Sequence, residues 1–291
     1  MNAHYILATW GGPRRDDWPA QVADPTYFVA VHLAQIARLK TSRIQKITVA
    51  APTFPLEPAS YQLRLEALAL RHEIETGISV EILRRKNIGI SYGSFSDAWL
   101  ANRGRFEATI FCEDDQLPGV DDFDSLLLEK LRNKAIGYSA ALVIKRGLCP
   151  VSAGIPFGAA REGALEELAH TWGGEDDFAL PHWRSASAED YRLHEMEGQV
   201  PFTSFYPKMG LKLADMVEDG FPVLFRARQW FERFDPRVRT GKPLFCLPVE
   251  SVGRNELLPM AVWRRMRAPF AHTIRRREGF SEDMERRLPK T

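Results

Sequence analysis

Short apolar runs alternate with longer amphipathic segments through the first half of the chain, and this alternation constrains the fold more than any other feature. The apolar runs predict strands at His4–Thr9, Ile44–Ala51, Ile78–Leu83, Ala108–Cys112 and Tyr138–Ile144. The intervening segments predict helices from Asp24-Pro25 to Leu39 and at Ser60–Glu75 (stopped by Gly77), Ser94–Asn102 and Phe123–Leu131. Strands and helices that alternate at this length are typical of an α/β fold, in which helices flank both faces of a mostly parallel sheet.

The pattern loosens after about residue 150. Short helices are predicted there at Ala160–His170, Leu211–Glu218 and Asn255–Met266. Proline, glycine and aromatic residues become more frequent, but no linker separates two domains. We therefore expect residues 1–150 to form an α/β half, and residues 151–291 to elaborate the same sheet and domain with loops that choose the substrate.

The composition excludes several classes of protein. The 291 residues include 39 Lys and Arg against 38 Asp and Glu, a net charge of +1, so no global field favours nucleic acid as a partner. The three cysteines are far apart and form no CxxC pair, which is typical of a reducing compartment. The N-terminus does not resemble a signal peptide, and no run approaches the roughly 18–20 apolar residues of a membrane span. We expect a cytoplasmic protein.

Three adjacent carboxylates, Glu113, Asp114 and Asp115, follow the predicted strand Ala108–Cys112. Adjacent negative charges repel one another unless a cation neutralises them. Hard divalent ions such as Mg²⁺ or Mn²⁺ take oxygen ligands and leave positions for substrate phosphates. The alternative is a solvated acidic turn that caps the helix starting near Asp122.

The stretch KNIGISYGSFSDAWLANRGRFEATIFCEDDQLP resembles the donor half of GT-A fold glycosyltransferases. In those enzymes an Asn-x-Gly stretch follows the third strand, a helix comes next, and the following strand ends in a DxD-type motif. The resemblance covers roughly residues 4–180 and is best over residues 87–118. It implies that Glu113 or Asp114 contacts the sugar or ribose and that Asp115 holds the metal bridging the donor diphosphate. Glu113 replaces the first aspartate, so which carboxylate binds the metal stays open.

Residues 172–177 read WGGEDD, and this segment resembles the acceptor-site segment of β-1,4-galactosyltransferase-type enzymes. The resemblance implies that a carboxylate here is the catalytic base, with Asp176 as first choice and Glu175 or Asp177 as alternates. Inverting transfer needs such a carboxylate to take the proton of the acceptor hydroxyl. The alternative is that the two glycines end the preceding helix and the acids that follow are solvated.

Further donor-binding candidates follow from position. Thr9 and Trp10 come directly after the first strand, where GT-A enzymes seat the nucleotide base, and Trp10 could stack on that base. Arg14 and its neighbour Arg15 could reach the diphosphate. For each of these residues the alternative is a packed or solvated surface position.

Three weaker candidates complete the predicted site. Asn87 begins the Asn-x-Gly stretch, and His182 is a possible additional metal ligand. Asp97 lies three residues after Ser94, so it either contacts the nucleotide or completes a capping box.

Two rival enzyme classes remain open. Residues 89–93 (GISYG) fit the GxSxG nucleophile elbow of serine hydrolases, with Ser91 as nucleophile and a later aspartate and histidine to complete a triad. Residues 11–15 (GGPRR) have the glycine- and arginine-rich character of the loop in sugar-phosphate nucleotidyltransferases.

The sequence thus predicts a GT-A-like, metal-dependent glycosyltransferase of hexosyltransferase type, with a donor half over residues 1–150 and an acceptor side over residues 151–291. Its partners would be a UDP- or GDP-linked sugar and an acceptor hydroxyl, and its cofactor Mn²⁺ or Mg²⁺. The arginine-rich C-terminus could also contact an anionic membrane or a polyanion, although a solvated helix face is the alternative.

Overall fold

The fold is seen in a computed structural model that describes residues 1–10, 24–54, 57, 59–114, 116–144, 152–153, 156–172, 200–220 and 246–248. Strands in these residues are β1 (Ala3–Ala8), β2 (Ile44–Pro52), β3 (Ser79–Arg85), β4 (Ala108–Glu113), β5 (Gln116–Pro118), β6 (Ile136–Ala140), β7 (Val143–Ile144), β8 (Ser152–Ala153), β9 (Gly158–Arg161), β10 (Lys212–Asp215) and β11 (Cys246–Pro248). Helices are α1 (Tyr27–Ile36), α2 (Ser60–Thr76), α3 (Ile90–Asn102), α4 (Phe123–Lys130), α5 (Glu162–Trp172) and α6 (Val200–Lys208).

Seven strands form the central sheet, in the order β10-β6-β9-β4-β1-β2-β3. Strand β1 pairs in parallel with β2 and with β4, β2 pairs in parallel with β3, and β6 pairs in parallel with β10. Only β9 is antiparallel to its two neighbours within this sheet, β4 and β6. The predicted fold class, a mostly parallel α/β sheet flanked by helices, is confirmed.

Strand β1 lies at the centre of the core. All six of its residues are buried, because helices cover both faces of the sheet. Successive side chains point to opposite faces. Tyr5 and Leu7 therefore pack into one apolar cluster, while Ile6 and Ala8 pack into the other.

Each face of the sheet is covered by three helices among the described residues. Val29 of α1, Leu65 of α2 and Leu127 of α4 belong to the cluster around Tyr5. Trp99 of α3, Leu165 of α5 and Phe202 of α6 belong to the cluster around Ile6. Helices α1 and α2 lie on the same face of the sheet because each connects two neighbouring parallel strands, β1 to β2 and β2 to β3, in the same direction.

The second half of the chain departs from several sequence predictions. The predicted helix Leu211–Glu218 is wrong, because residues Lys212–Asp215 form β10 beside β6. Helix α5 begins at Glu162, since Ala160 belongs to β9. Sheet pairing with distant segments overrides the local helical pattern in both places.

Other elements also differ from the predictions. The predicted strand Tyr138–Ile144 is divided, because β6 ends at Ala140 and Val143–Ile144 pairs with β8. Helix α6 was not predicted, and the predicted helix Asn255–Met266 lies outside the described residues. Strands β9 and β10 come after residue 150 and lie in the central sheet. The division into two halves at that residue stays a prediction.

Candidate functional site

The carboxyl ends of β1, β2, β3 and β4 meet at one edge of the sheet, because these four neighbouring strands run in parallel. Ligands of open α/β sheets bind outside this edge. Thr9 and Trp10 follow β1, Asn87 follows β3, and Glu113 ends β4. Four of the predicted donor-binding positions therefore lie at or next to the same edge.

Asp114 connects the end of β4 to the end of β1. Its Oδ2 atom accepts a hydrogen bond from the Thr9 hydroxyl at 2.7 Å and one from the Trp10 backbone N–H at 3.0 Å. Its own N–H donates to the Ala8 carbonyl at 2.9 Å. Asp114 is buried, so its carboxylate holds the turn after β1 rather than capping the helix that follows at Phe123.

A buried histidine holds the backbone of Asp114 after β4. His32 Nε2 lies 3.2 Å from the Asp114 carbonyl oxygen, and the Tyr5 hydroxyl lies 3.0 Å from His32 Nδ1. Because a carbonyl can only accept, Nε2 carries the proton and the Tyr5 hydroxyl donates to Nδ1. Burial lowers the pKa of His32 to about 4, partly offset by the interaction with Asp114.

Sequence reasoning missed both His32 and Tyr5 as parts of this site. A histidine on the apolar face of α1 was the available signal, since a fully buried imidazole requires hydrogen-bond partners. Nothing in the local sequence indicates that the partners are Tyr5 and Asp114.

Carboxylate oxygens at the end of β4 match the ligand preference of Mg²⁺ and Mn²⁺. Glu113 is partly exposed there, next to the buried Asp114. Within the described part of the chain, no group of three or more His, Cys, Asp or Glu side chains could hold a metal ion. Two of the predicted ligands, Asp115 and His182, lie outside that part.

Aromatic rings extend from the end of β1 toward β3. Trp10 is 39% exposed, and its ring centroid lies 6.3 Å from that of Phe54, which follows β2. Phe54 meets Tyr61 edge to face at 5.6 Å, and the Arg84 guanidinium lies 5.3 Å above the Tyr61 ring. The rings are tilted against one another and Tyr61 is buried, so Trp10 is the exposed end of this aromatic row beside the acidic end of β4.

The loop after β3 is fixed by the buried guanidinium of Arg85. Its Nε donates to Asp97 Oδ2 at 2.5 Å, Nη1 to Ser94 Oγ at 3.3 Å and Nη2 to the Ile88 carbonyl at 2.6 Å. Asn87 lies within this loop and is partly exposed.

The capping-box interpretation of Asp97 is wrong. Helix α3 begins at Ile90, so Ser94 and Asp97 lie inside it rather than at its start. The helix begins early because Gly89 adopts a left-handed conformation with φ 73°, which glycine tolerates at little steric cost. Asp97 holds the Arg85 guanidinium instead.

The structure argues against Ser91 as a hydrolase nucleophile. A nucleophile elbow exposes its serine at the end of a strand in the interior of the sheet. Strand β3 is an edge strand, and Ser91 Oγ is buried without a hydrogen-bond partner among the described residues. A buried oxygen cannot reach an ester or amide carbonyl of a substrate.

Six other predicted site residues lie in segments that the structure does not describe. Arg14, Asp115, Glu175, Asp176, Asp177 and His182 lie outside the described residues, as does the basic C-terminal segment. Trp172, the first residue of the WGGEDD segment, is described and is the last residue of α5. None of the helices in the described residues has the length and apolar character to cross a bilayer.

Comparisons with known proteins give no family. No protein-family model matches the chain, and no curated protein sequence matches it. Among solved structures, mouse xyloside xylosyltransferase 1 is similar at 10% identity and a TM-score of 0.43, over 81% of this chain and 92% of that one.

Two further solved structures are similar at the same level. A 4-diphosphocytidyl-2C-methyl-D-erythritol synthase from Anaerococcus prevotii has 10% identity and a TM-score of 0.40, over 67% of this chain and 95% of that one. A mannosyltransferase from Pyrobaculum calidifontis, in complex with GDP-Man and Mn²⁺, has 12% identity and a TM-score of 0.39, over 60% of this chain and 47% of that one. At these identities and TM-scores, none of the matches assigns an activity to this chain.

Proposed function

We propose that this protein is a metal-dependent glycosyltransferase that uses a nucleotide-diphosphate sugar as donor. The observation that carries the proposal is the junction of Asp114 with Thr9 and Trp10 at the carboxyl edge of the parallel strands. It brings the Trp10 ring close to the carboxyl groups of Glu113 and Asp114 at one corner of the sheet. This combination suits a nucleotide diphosphate, because an aromatic ring can stack on its base and carboxylates can hold a cation shared with its phosphates.

Trp10 is the proposed contact for the nucleotide base. Its indole ring is 39% exposed and lies tilted beside the Phe54 ring, with 6.3 Å between the ring centroids. Stacking between a base and an aromatic side chain contributes on the order of 1–3 kcal/mol. Thr9 would affect nucleotide binding indirectly, because its hydroxyl donates a hydrogen bond to Asp114 and so fixes the residue before Trp10.

Glu113 and Asp115 are the proposed metal ligands, with His182 as an additional candidate. Asp114 is less suited to that role because one of its oxygens already accepts two hydrogen bonds. A bound Mg²⁺ or Mn²⁺ would neutralise charge on the diphosphate leaving group. The protein residues would hold the donor so that its anomeric carbon faces the acceptor.

The acceptor side would come from the second half of the chain. We assign the catalytic base to Asp176, with Glu175 and Asp177 as alternates, because inverting transfer needs a carboxylate beside the acceptor hydroxyl. A hexose donor linked to UDP or GDP remains the proposed substrate, and the cytoplasm the proposed location.

Binding of nucleotide sugars provides the test. The melting temperature of the full chain should rise with one UDP- or GDP-sugar only when Mn²⁺ is present, since ligand binding to the native state stabilises it. Trp10→Ala should weaken this response, whereas Trp10→Phe, which keeps an aromatic face, should retain most of it. Asp115→Ala should abolish the rise in melting temperature that the sugar nucleotide and Mn²⁺ cause together.

Two outcomes would contradict the proposal. A shift that is unchanged in both Trp10→Ala and Asp115→Ala would place the ligand elsewhere. Release of pyrophosphate from a nucleoside triphosphate and a sugar phosphate, without transfer from any nucleotide sugar, would identify a nucleotidyltransferase instead.

A further inference from the structure

Helix α2 exposes an apolar stripe on its outer face. Leu63, Leu70 and Ile74 are 67%, 59% and 77% exposed, and they are three of the five large hydrophobic side chains exposed among the described residues. Ala67 is exposed between them. The spacing of four, three and four residues places all four on one side of the helix.

The opposite face of α2 already binds the helix to the rest of the protein. Tyr61, Leu65, Ala69 and His72 are buried there and pack toward the sheet and α1. The outer stripe is therefore not needed to attach α2 to its own sheet. Exposed side chains of this size gather on one stripe where a second surface covers them.

The charges beside the stripe have a definite order. With Leu63 and Leu70 as heptad d positions and Ala67 and Ile74 as a positions, the e positions are both arginine, at Arg64 and Arg71. The g positions are both glutamate, at Glu66 and Glu73. One flank of the stripe is thus positive and the other is negative.

We propose that two copies of this chain associate through α2, with the two helices parallel and related by a two-fold axis along the stripe. In a parallel pair each g position faces an e position of the other helix, so Glu66 lies opposite Arg71 of the second copy. In an antiparallel pair arginine would face arginine and glutamate would face glutamate. The pairing of glutamate with arginine therefore favours association of α2 with α2 of a second copy in the parallel orientation.

Existing contacts of Glu66 and Arg71 permit the exchange, because both are exposed. Glu66 accepts a hydrogen bond from Gln62 at 2.6 Å. Arg64 already pairs with Asp24 at 2.6 Å and contributes less. Arg71 pairs with Glu75 at 2.8 Å within the helix, and both side chains are largely exposed. Exposed ion pairs of this kind are weak and exchange readily with new partners. Glu73 contributes less, because its Oε1 accepts the Val80 N–H at 2.7 Å.

The size of the stripe sets the strength of the dimer. A stable interface buries about 800 Å² on each partner. Four exposed side chains on a helix of 17 residues offer less than that. We therefore expect a dimer that dissociates on dilution, not a permanent one.

Sedimentation velocity of the full chain over a series of concentrations tests the proposal. The wild type should shift from monomer to dimer as concentration rises, and Leu70→Glu should weaken association by at least about tenfold, because one buried leucine is lost from each copy. Leu100→Glu is the matched control, because Leu100 is an exposed leucine on α3, away from the stripe. It should leave association unchanged.

Charge reversal tests the orientation. Glu66→Arg and Arg71→Glu should each weaken association, and the double variant should restore it, because the pair is re-formed with its signs exchanged.

A wild type that stays monomeric at every concentration overturns the proposal. Single variants without rescue overturn the parallel pairing. A stripe covered by another part of the same chain would instead show as a monomer whose melting temperature falls in Leu70→Glu but not in Leu100→Glu.

Discussion

The hydroxyl of Thr9 lies 2.7 Å from the carboxylate of Asp114, and both residues are buried at the carboxyl edge of the sheet. They are 105 positions apart in the sequence. The contact exists because β1 and β4 are parallel neighbours, which brings the residues after Ala8 and Glu113 together. It ties the turn that presents Trp10 to the segment that carries the acidic residues.

Thr9→Val should destabilise the protein by about 1.5–3 kcal/mol, because it removes a hydrogen bond to a buried charged group without changing the shape of the side chain. Denaturant unfolding measures the loss. Thr9→Ser keeps the hydroxyl and should retain most of the stability. A valine variant as stable as the wild type would show that the Asp114 carboxylate does not depend on this bond.

Asp97→Asn should cost about 2 kcal/mol of unfolding free energy, because it removes the charge that faces the buried Arg85 guanidinium. The pair formed by Arg103 and Glu166 is a matched control, since it has the same chemistry on an exposed surface. Glu166→Gln should cost less than about 1 kcal/mol. Equal losses in the two variants would mean that burial does not distinguish the pairs.

Gly93→Ala should destabilise α3 and the loop before it by about 3 kcal/mol or more. A methyl group at this position would lie 2.0 Å from the Ile88 carbonyl oxygen, which is backbone and cannot rotate away. Gly163→Ala in α5 provides the comparison, because nothing lies within 4 Å of its added carbon. It should be neutral or stabilise by up to about 1 kcal/mol.

Acid should destabilise the protein partly through His4. Burial, with a smaller contribution from Lys46, lowers its pKa from 6.5 to about 3. Below pH 6.5 the unfolded chain binds a proton that the folded protein excludes, so stability falls with decreasing pH until the folded pKa is reached. The contribution between about pH 7 and pH 5 is about 2 kcal/mol.

Unfolding of His4→Gln at the two pH values isolates this contribution. The variant should lose about 2 kcal/mol less than the wild type on acidification. His170→Gln, which replaces an exposed histidine on α5, should lose as much as the wild type. A His4 variant with an unchanged acid response would show that another group controls it.

Strong local patterns made the first four strands predictable. Strand β1 was predicted within one residue at each end, because its six buried residues form an apolar run between polar neighbours. The end of α2 was predicted from Gly77, which adopts the left-handed C-cap conformation with φ 73°. Strands β9 and β10 were not predicted, because GAAR and KLAD are four-residue segments without a strand pattern.

The candidate site divides in the same way. The acidic run after β4 and the Thr9-Trp10 pair after β1 could be predicted, because a ligand-binding edge lies where parallel strands end. The hydrogen bonds of His32 and of Arg85 could not be predicted, since each depends on the conformation of a distant or irregular segment.

By itself, the sequence determined that the chain forms a mostly parallel α/β sheet and which residues follow its strands at the carboxyl edge. Hydrophobic periodicity is a local property, so it can be read along the chain. The tertiary structure alone decided three features. One carboxylate oxygen of Asp114 accepts hydrogen bonds from Thr9 and Trp10, Asp97 pairs with Arg85, and Ser91 is buried. These outcomes depend on which strands become neighbours, because hydrogen bonds between remote residues form only after the sheet has brought them within reach.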